Sequence, residues 1–149
     1  MKMRMKRLLC IILAMLLMGA AFAETEGEEK SMLTMRIDET EVQVEWEQNA
    51  SVDALAALAR EQPVEIEMSM YGGFEQVGPI GRSLPRDDKQ TTTRAGDIVL
   101  YSGNQIVVFY GSNSWAYTRL GRITDKTNEE LRELLGNHDV TITIDIKEE

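Results

Sequence analysis

Apolar and polar residues alternate with period two over most of the chain, and helical spacing replaces that alternation in only two places. From Met32 onward, Leu33, Met35 and Ile37 alternate with Met32, Thr34 and Arg36. Past Asp38-Glu39, Val42, Val44 and Trp46 alternate with Glu41, Gln43 and Glu45. This predicts a hairpin with one buried and one wet face, with Trp46 in the core. Asn49-Ala50-Ser51 opens a helix with Ser51 as its N-cap and Asp53 in a first turn that favours a negative charge. Val52, Leu55, Leu58 and Ala59 form its apolar face, and it stops near Gln62 because Pro63 disfavours a helical residue before it. Residues 64–70 alternate again, as one strand with Val64, Ile66, Met68 and Met70 all inward.

The paired glycines of Tyr71-Gly72-Gly73-Phe74 permit an abrupt turn between two aromatic residues. Residues 75–94 show no sustained period, and a loop of that length inside a compact domain tends to be functional or to cover an open barrel end. Residues 97–101 and 105–110 predict a second hairpin around a two-residue turn, Gly103-Asn104. Its near-continuous apolar runs, Ile98 to Leu100 and Ile106 to Phe109, predict strands covered on both faces. After a break at residues 111–114 comes the segment from Trp115 to Leu120. Thr127 and Glu130 form a capping box for a short helix bearing Leu131, Leu134 and Leu135 and closed by Gly136. Residues 140–146 make a final strand, so the expected fold is mainly β with two short helices.

The first residues stand outside this pattern. Lys2, Arg4, Lys6 and Arg7 precede an apolar run from Leu8 to Met18, and Ala21-Phe22-Ala23 is an A-x-A cleavage site. Residues 1–23 thus read as a signal peptide cleaved after Ala23, which sends the chain to the periplasm or outside the cell with no stable membrane insertion afterwards. Residues 24–31 read as a disordered acidic leader, and residues 32–147 as one domain. Cys10 lies in the signal, so the mature chain has no disulfide. The lone His138 argues against a Cys/His metal cluster, and no metal or cofactor is expected.

Four of the sixteen cations lie in the signal, which leaves twelve against twenty-five carboxylates, a formal net charge of −13. Nucleic acid is a poor partner for such a chain. The charge is uneven, because the stretch from Tyr71 to Arg122 carries six cations and four anions. An anionic ligand group would go to Arg82, Arg86, Lys89, Arg94, Arg119 or Arg122. The stretch from Met70 to Ile123 also holds eight of the eleven glycines and seven of the nine aromatic residues.

Several runs in this stretch carry a family resemblance. Tyr71-Gly72-Gly73-Phe74-Glu75-x-Val77-Gly78, Ser83-Leu84-Pro85, Thr92-Thr93-x-x-Gly96-Asp97-Ile98-Val99-Leu100-Tyr101-x-Gly103-Asn104-Gln105 and Phe109-Tyr110-Gly111-Ser112-Asn113-Ser114-Trp115-x-Tyr117-Thr118-Arg119-Leu120-Gly121 closely resemble the bacterial cyclophilin-like proteins. The resemblance extends more weakly over residues 32–146. It implies a closed, mostly antiparallel β-barrel with helices capping its ends, in a family of largely uncharacterised function. True cyclophilins carry a Phe-His-Arg run and a Phe-Met-x-Gln-Gly-Gly run; the nearest segment here, Met68-Ser69-Met70-Tyr71-Gly72-Gly73-Phe74, has neither.

Two functional readings follow. In the first, the chain is a non-enzymatic binding module in which Phe74, Tyr110, Trp115 and Tyr117 line a groove for a peptide or small molecule. Arg82, Arg86 or Arg119 then holds a carboxylate or carbonyl. In the second, it is a peptidyl-prolyl cis-trans isomerase with a rearranged active site. For Phe109 and Trp115, a place in the core competes with the site and is favoured. Asp87-Asp88 reads as a turn rather than a cation site.

Overall fold

The structure is a computed structural model that describes residues 31–148; the expected signal peptide and the leader up to residue 30 lie outside the described residues. In chain order the first elements are β1 (Ser31–Ile37), β2 (Thr40–Val42), β3 (Val44–Trp46), α1 (Ala50–Glu61), β4 (Val64–Glu67), β5 (Ser69–Tyr71) and β6 (Glu75–Pro79). They are followed by β7 (Lys89–Thr92), β8 (Asp97–Tyr101), β9 (Gln105–Phe109), β10 (Ser114–Ile123), α2 (Asn128–Leu135) and β11 (Thr141–Glu148). One sheet has the order β2-β1-β11-β4 and the other β3-β10-β8-β9-β6-β5, with β7 added on β10.

The fold is mainly β, but the expected closed barrel is replaced by two separate sheets. Two of the predicted strands each split between the sheets. In residues 40–46, β2 pairs with β1 while β3 pairs with β10. At the corner between them, the Gln43 amide donates to Asp125 Oδ1 (3.0 Å) and its carbonyl accepts from the Thr124 amide (2.9 Å). In residues 64–71, β4 pairs with β11 while β5 pairs with β6. There the Met68 amide donates to the Val140 carbonyl (2.8 Å) and the Met70 amide to Asp139 Oδ1 (2.9 Å). A strand that bends turns its hydrogen-bonding edge toward a new partner, so the chain joins the sheets at these corners although no ladder does. The second corner also turns Met70 out of the core, leaving it 38 % exposed.

Local chemistry departs from expectation at three further points. Asn49, not Ser51, caps α1, accepting from the Val52 amide at 2.9 Å, and the Ser51 hydroxyl donates to the Pro85 carbonyl instead. The left-handed residues of the β8–β9 turn are Ser102 (φ 52°) and Gly103 (φ 74°), one position earlier than expected. The span from 75 to 94 is ordered at both ends as β6 and β7, so the connecting loop shrinks to residues 80–88. The capping box of α2 forms as predicted.

Alternation along β8 and β9 sends Ile98, Leu100, Ile106 and Val108 into the main core, and Val99, Val107 and Phe109 into a second apolar cluster with Tyr117. These strands are thus covered on both faces, as their sequence predicts. Gly78 on β6 lies where β4 and β6 come together. A Cβ added there would meet the Glu67 carbonyl oxygen and Met68 Sδ, both at 2.6 Å. The expected result for Gly78→Ala is a loss of roughly 1–3 kcal/mol from overpacking. Urea unfolding checks it, as a lower midpoint with an unchanged slope.

Candidate functional site

The second apolar cluster is the floor of a hollow. Phe74, Val77 and Tyr101 pack against Val99, Val107, Phe109 and Tyr117 on the face of the seven-stranded sheet away from the main core. A space of about 470 Å³ opens over Val77 and Val107, walled by Tyr71, Tyr101, Trp115 and Tyr117. Two local features raise these walls. The Gly72-Gly73 turn holds Tyr71 edge-on to Phe74, with centroids 6.2 Å apart and planes at 87°. The first half of β10 pairs with β7, which brings Tyr117 level with the end of β8 and carries Trp115 past it. Tyr117 stands edge-on to both Phe109 (5.8 Å) and Tyr101 (6.1 Å), geometries that aromatic quadrupoles favour. Tyr71 and Trp115 form the rim, 64 % and 56 % exposed.

Polar groups in the hollow are few. Asn113 Nδ2 donates to the Tyr117 hydroxyl at 2.8 Å, and Gln105 lies at the wall. Glu75 on β6 pairs with Phe109 in the ladder and shares the face of Val77. It is only 6 % exposed, yet its carboxyl makes no hydrogen bond or ion pair among the described residues. Burial alone pushes this carboxyl up to about 7. Burial also pushes the Tyr117 phenol up, opposed by the Asn113 hydrogen bond and assisted by the charge of Glu75.

A second depression, of about 590 Å³, lies between the start of α1, residues 85–87 and β7, and is lined by Arg86 and Arg119. Its cations are already paired. Arg86 Nη2 is 2.7 Å from Asp88 Oδ2, Lys89 Nζ is 3.4 Å from Asp87 Oδ2, and Arg119 Nη1 is 3.3 Å from Asp97 Oδ2. Asp97 is fully buried; its Oδ1 also accepts from Arg122 Nε (3.0 Å) and Nη2 (2.7 Å), and its Oδ2 from the Arg94 amide (2.9 Å). A bulge between Arg119 and Gly121 makes this possible. It sets Arg119 opposite Val99 and Arg122 opposite Asp97, so residues an odd number apart come to share a face.

Of the residues singled out from sequence, Trp115 and Tyr117 line the hollow, with Phe74 packed beside it, while Arg86 and Arg119 line the polar depression. Arg82 is exposed and borders neither. Tyr110, expected at a ligand groove, sits instead in the main core at 7 % exposure with its hydroxyl unpaired, because it shares the face of Ile106 and Val108. Trp115, favoured as core, is exposed, while Phe109 is core. Glu75, Tyr71 and Tyr101 were not singled out. His138 is exposed at the surface, 3.0 Å from Asp38. Among the described residues no cluster of three or more His, Cys, Asp or Glu side chains could hold a metal ion.

A family model described as the cyclophilin-like family matches residues 35–146. The chain belongs to the cyclophilin-like family. Among solved structures, this cyclophilin-like chain is similar to McbB in complex with tryptophan, with a TM-score of 0.56 and 13 % identity over 76 % of the chain. It spans only 44 % of the length of McbB. It is also similar to the hypothetical protein AF2241 from Archaeoglobus fulgidus, with a TM-score of 0.55 and 18 % identity, covering 78 % of this chain and 94 % of that one. At these identities the likeness concerns the fold. A comparison with curated proteins finds no significant match.

Two acids on the outer face make opposite predictions. Asp97→Ala removes the partner of two guanidinium groups and is expected to cost roughly 2–4 kcal/mol in chemical denaturation, near the lower end for a buried pair because both arginines reach solvent. Glu75 is raised from 4.5 to about 7. Its stability contribution is therefore full below about pH 4.5 and lost as the pH rises through about 7, where the folded state must ionise a buried group. Relative to Glu75→Gln, the native protein is expected to lose roughly 1–3 kcal/mol between pH 4.5 and 8, less than the full shift implies because the hollow opens to solvent. Paired urea melts across that range measure it.

Proposed function

We propose that this cyclophilin-like domain is an exported, non-enzymatic binding module that takes a peptide or small organic ligand in the aromatic hollow of its seven-stranded sheet. The observation that carries the reading is the hollow itself: a concave apolar floor, four aromatic walls and a few convergent polar groups, within the size range of small-ligand sites. The exposed Trp115 and Tyr71 at its rim support it, since large rings left in water form a ready contact surface. An isomerase would have to lower a barrier of about 18–20 kcal/mol. No arginine lines the hollow, and the two that line the polar depression are held by Asp88 and Asp97. This favours binding over isomerisation.

The experiment is a peptide and fragment screen read by the resonances of the Trp115 indole, with the melting temperature as a second readout. A bound ligand is expected to shift the Trp115 signal and raise the melting temperature, and Trp115→Ala to weaken it about tenfold or more. An isomerisation assay on a proline peptide is expected to show no acceleration. Acceleration that disappears in Arg86→Ala or Arg119→Ala would overturn the reading in favour of an isomerase.

A further inference from the structure

We infer that the aromatic hollow takes a small organic ammonium cation, held between the ring faces of Tyr71, Tyr101, Trp115 and Tyr117 and the carboxylate of Glu75. The inference rests on the binding-module reading and names the ligand class for that same site. It differs from the sequence reading, which gave a ligand carboxylate or carbonyl to Arg82, Arg86 or Arg119.

Three observations lead to it. First, Glu75 is more than nine-tenths buried on the floor side of the hollow, with no hydrogen bond or ion pair among the described residues. A carboxylate so placed is costly unless a positive partner arrives. Secondly, the walls are aromatic, and ring faces attract cations, most strongly those that shed water easily, as alkylated ammonium groups do. Thirdly, no cationic side chain lines the hollow, so nothing in the chain occupies that role. The overall negative charge of the chain adds long-range attraction of the same sign.

No lysine, arginine, histidine or second carboxylate lines the hollow beside Glu75. From β5, β8 and β10 come the phenols of Tyr71, Tyr101 and Tyr117. From β9 come Gln105 and Val107, and from the segment before β10 the amide of Asn113. Glu75 is therefore the group whose ionisation sets the charge of the hollow, and burial holds its titration near neutrality.

The test compares choline with 3,3-dimethylbutan-1-ol, a neutral probe of nearly the same shape, by titration calorimetry and Trp115 resonances on the mature chain at low salt. Choline is expected to bind at pH 8 at least about tenfold more tightly than the neutral probe. Lowering the pH from 8 to 5.5 should weaken choline about tenfold or more and leave the neutral probe unchanged. Glu75→Gln, which removes charge while keeping shape, should abolish both the preference and the pH dependence; Trp115→Ala, at an exposed rim position, should weaken choline in a protein that still folds. Equal binding of the two probes, or a cation preference that survives Glu75→Gln, would overturn the cation assignment and leave the module reading standing. If neither probe nor any member of the wider screen moves Trp115, both fall.

Discussion

Strands β8 and β9 carry large apolar side chains on both faces, and each face has to be covered. Toward the interior, Ile98, Leu100, Ile106 and Val108 join one cluster with residues of the small sheet and of both helices. On the other face no helix or second sheet lies over Val99, Val107 and Phe109 among the described residues. Their cover comes from rings brought in from neighbouring strands: Tyr117 from β10, Tyr101 from the end of β8 and Phe74 from the β5–β6 turn. Rings standing edge-on seal the cluster at its base without filling the space above it. The hollow is thus a consequence of covering a two-faced apolar sheet with side chains alone.

The same economy appears where the sheets meet. At Gln43 and Met68 the chain leaves one sheet and enters the other, and side-chain carboxylates from Asp125 and Asp139 satisfy backbone amides that would otherwise lose a ladder partner. Both hydrogen bonds lie at the surface, where the two loop acids stand in for the ladder partners that the bends remove. The bulge in β10 is a third such device. Gly121 sits there with the Glu45 carbonyl so close that a Cβ would approach within 2.7 Å, which ties the bulge to β3 while Arg119 and Arg122 turn toward Asp97.

Much of this was legible in the chain. The alternation of residues 32–46 and 64–68, the two-sided burial of Ile98 to Leu100 and the Thr127 capping box depend on short-range chemistry, and all appear in the structure. What could not be read depends on pairing between distant segments. Residues 75–79 lack a period because β6 packs differently on its two sides, with Gln76 and Gly78 facing inward beneath β4 and α2 while Glu75 and Val77 face the hollow. Trp115 reads as core from its neighbours in sequence, but β10 carries it past the end of β8 into solvent. Arg119 reads as a candidate for a ligand carboxylate or carbonyl, because only the bulge reveals the carboxylate of Asp97 that it shares with Arg122. Tyr110 continues the inward face of β9 one residue past its end, which made an interior ring look like a groove residue.

Asp97 and Glu75 show how differently one sheet face treats two acids. Both are buried on the outer side of the seven-stranded sheet. Around Asp97 the fold gathers two guanidinium groups and a backbone amide, the complete set of partners that a buried carboxylate needs. The sequence evidently can supply such partners, since six cations lie between Tyr71 and Arg122. Around Glu75 it supplies rings instead, at a cost expressed in the raised titration of that carboxyl. A glutamine or a leucine there would be cheaper for folding, because neither ionises in the apolar cluster. Stability therefore explains Asp97 and does not explain Glu75. Local choices that work against the fold are where function is to be sought, and that is why the proposed ligand site is put at the unpaired carboxyl among the tyrosines and not at the paired arginines.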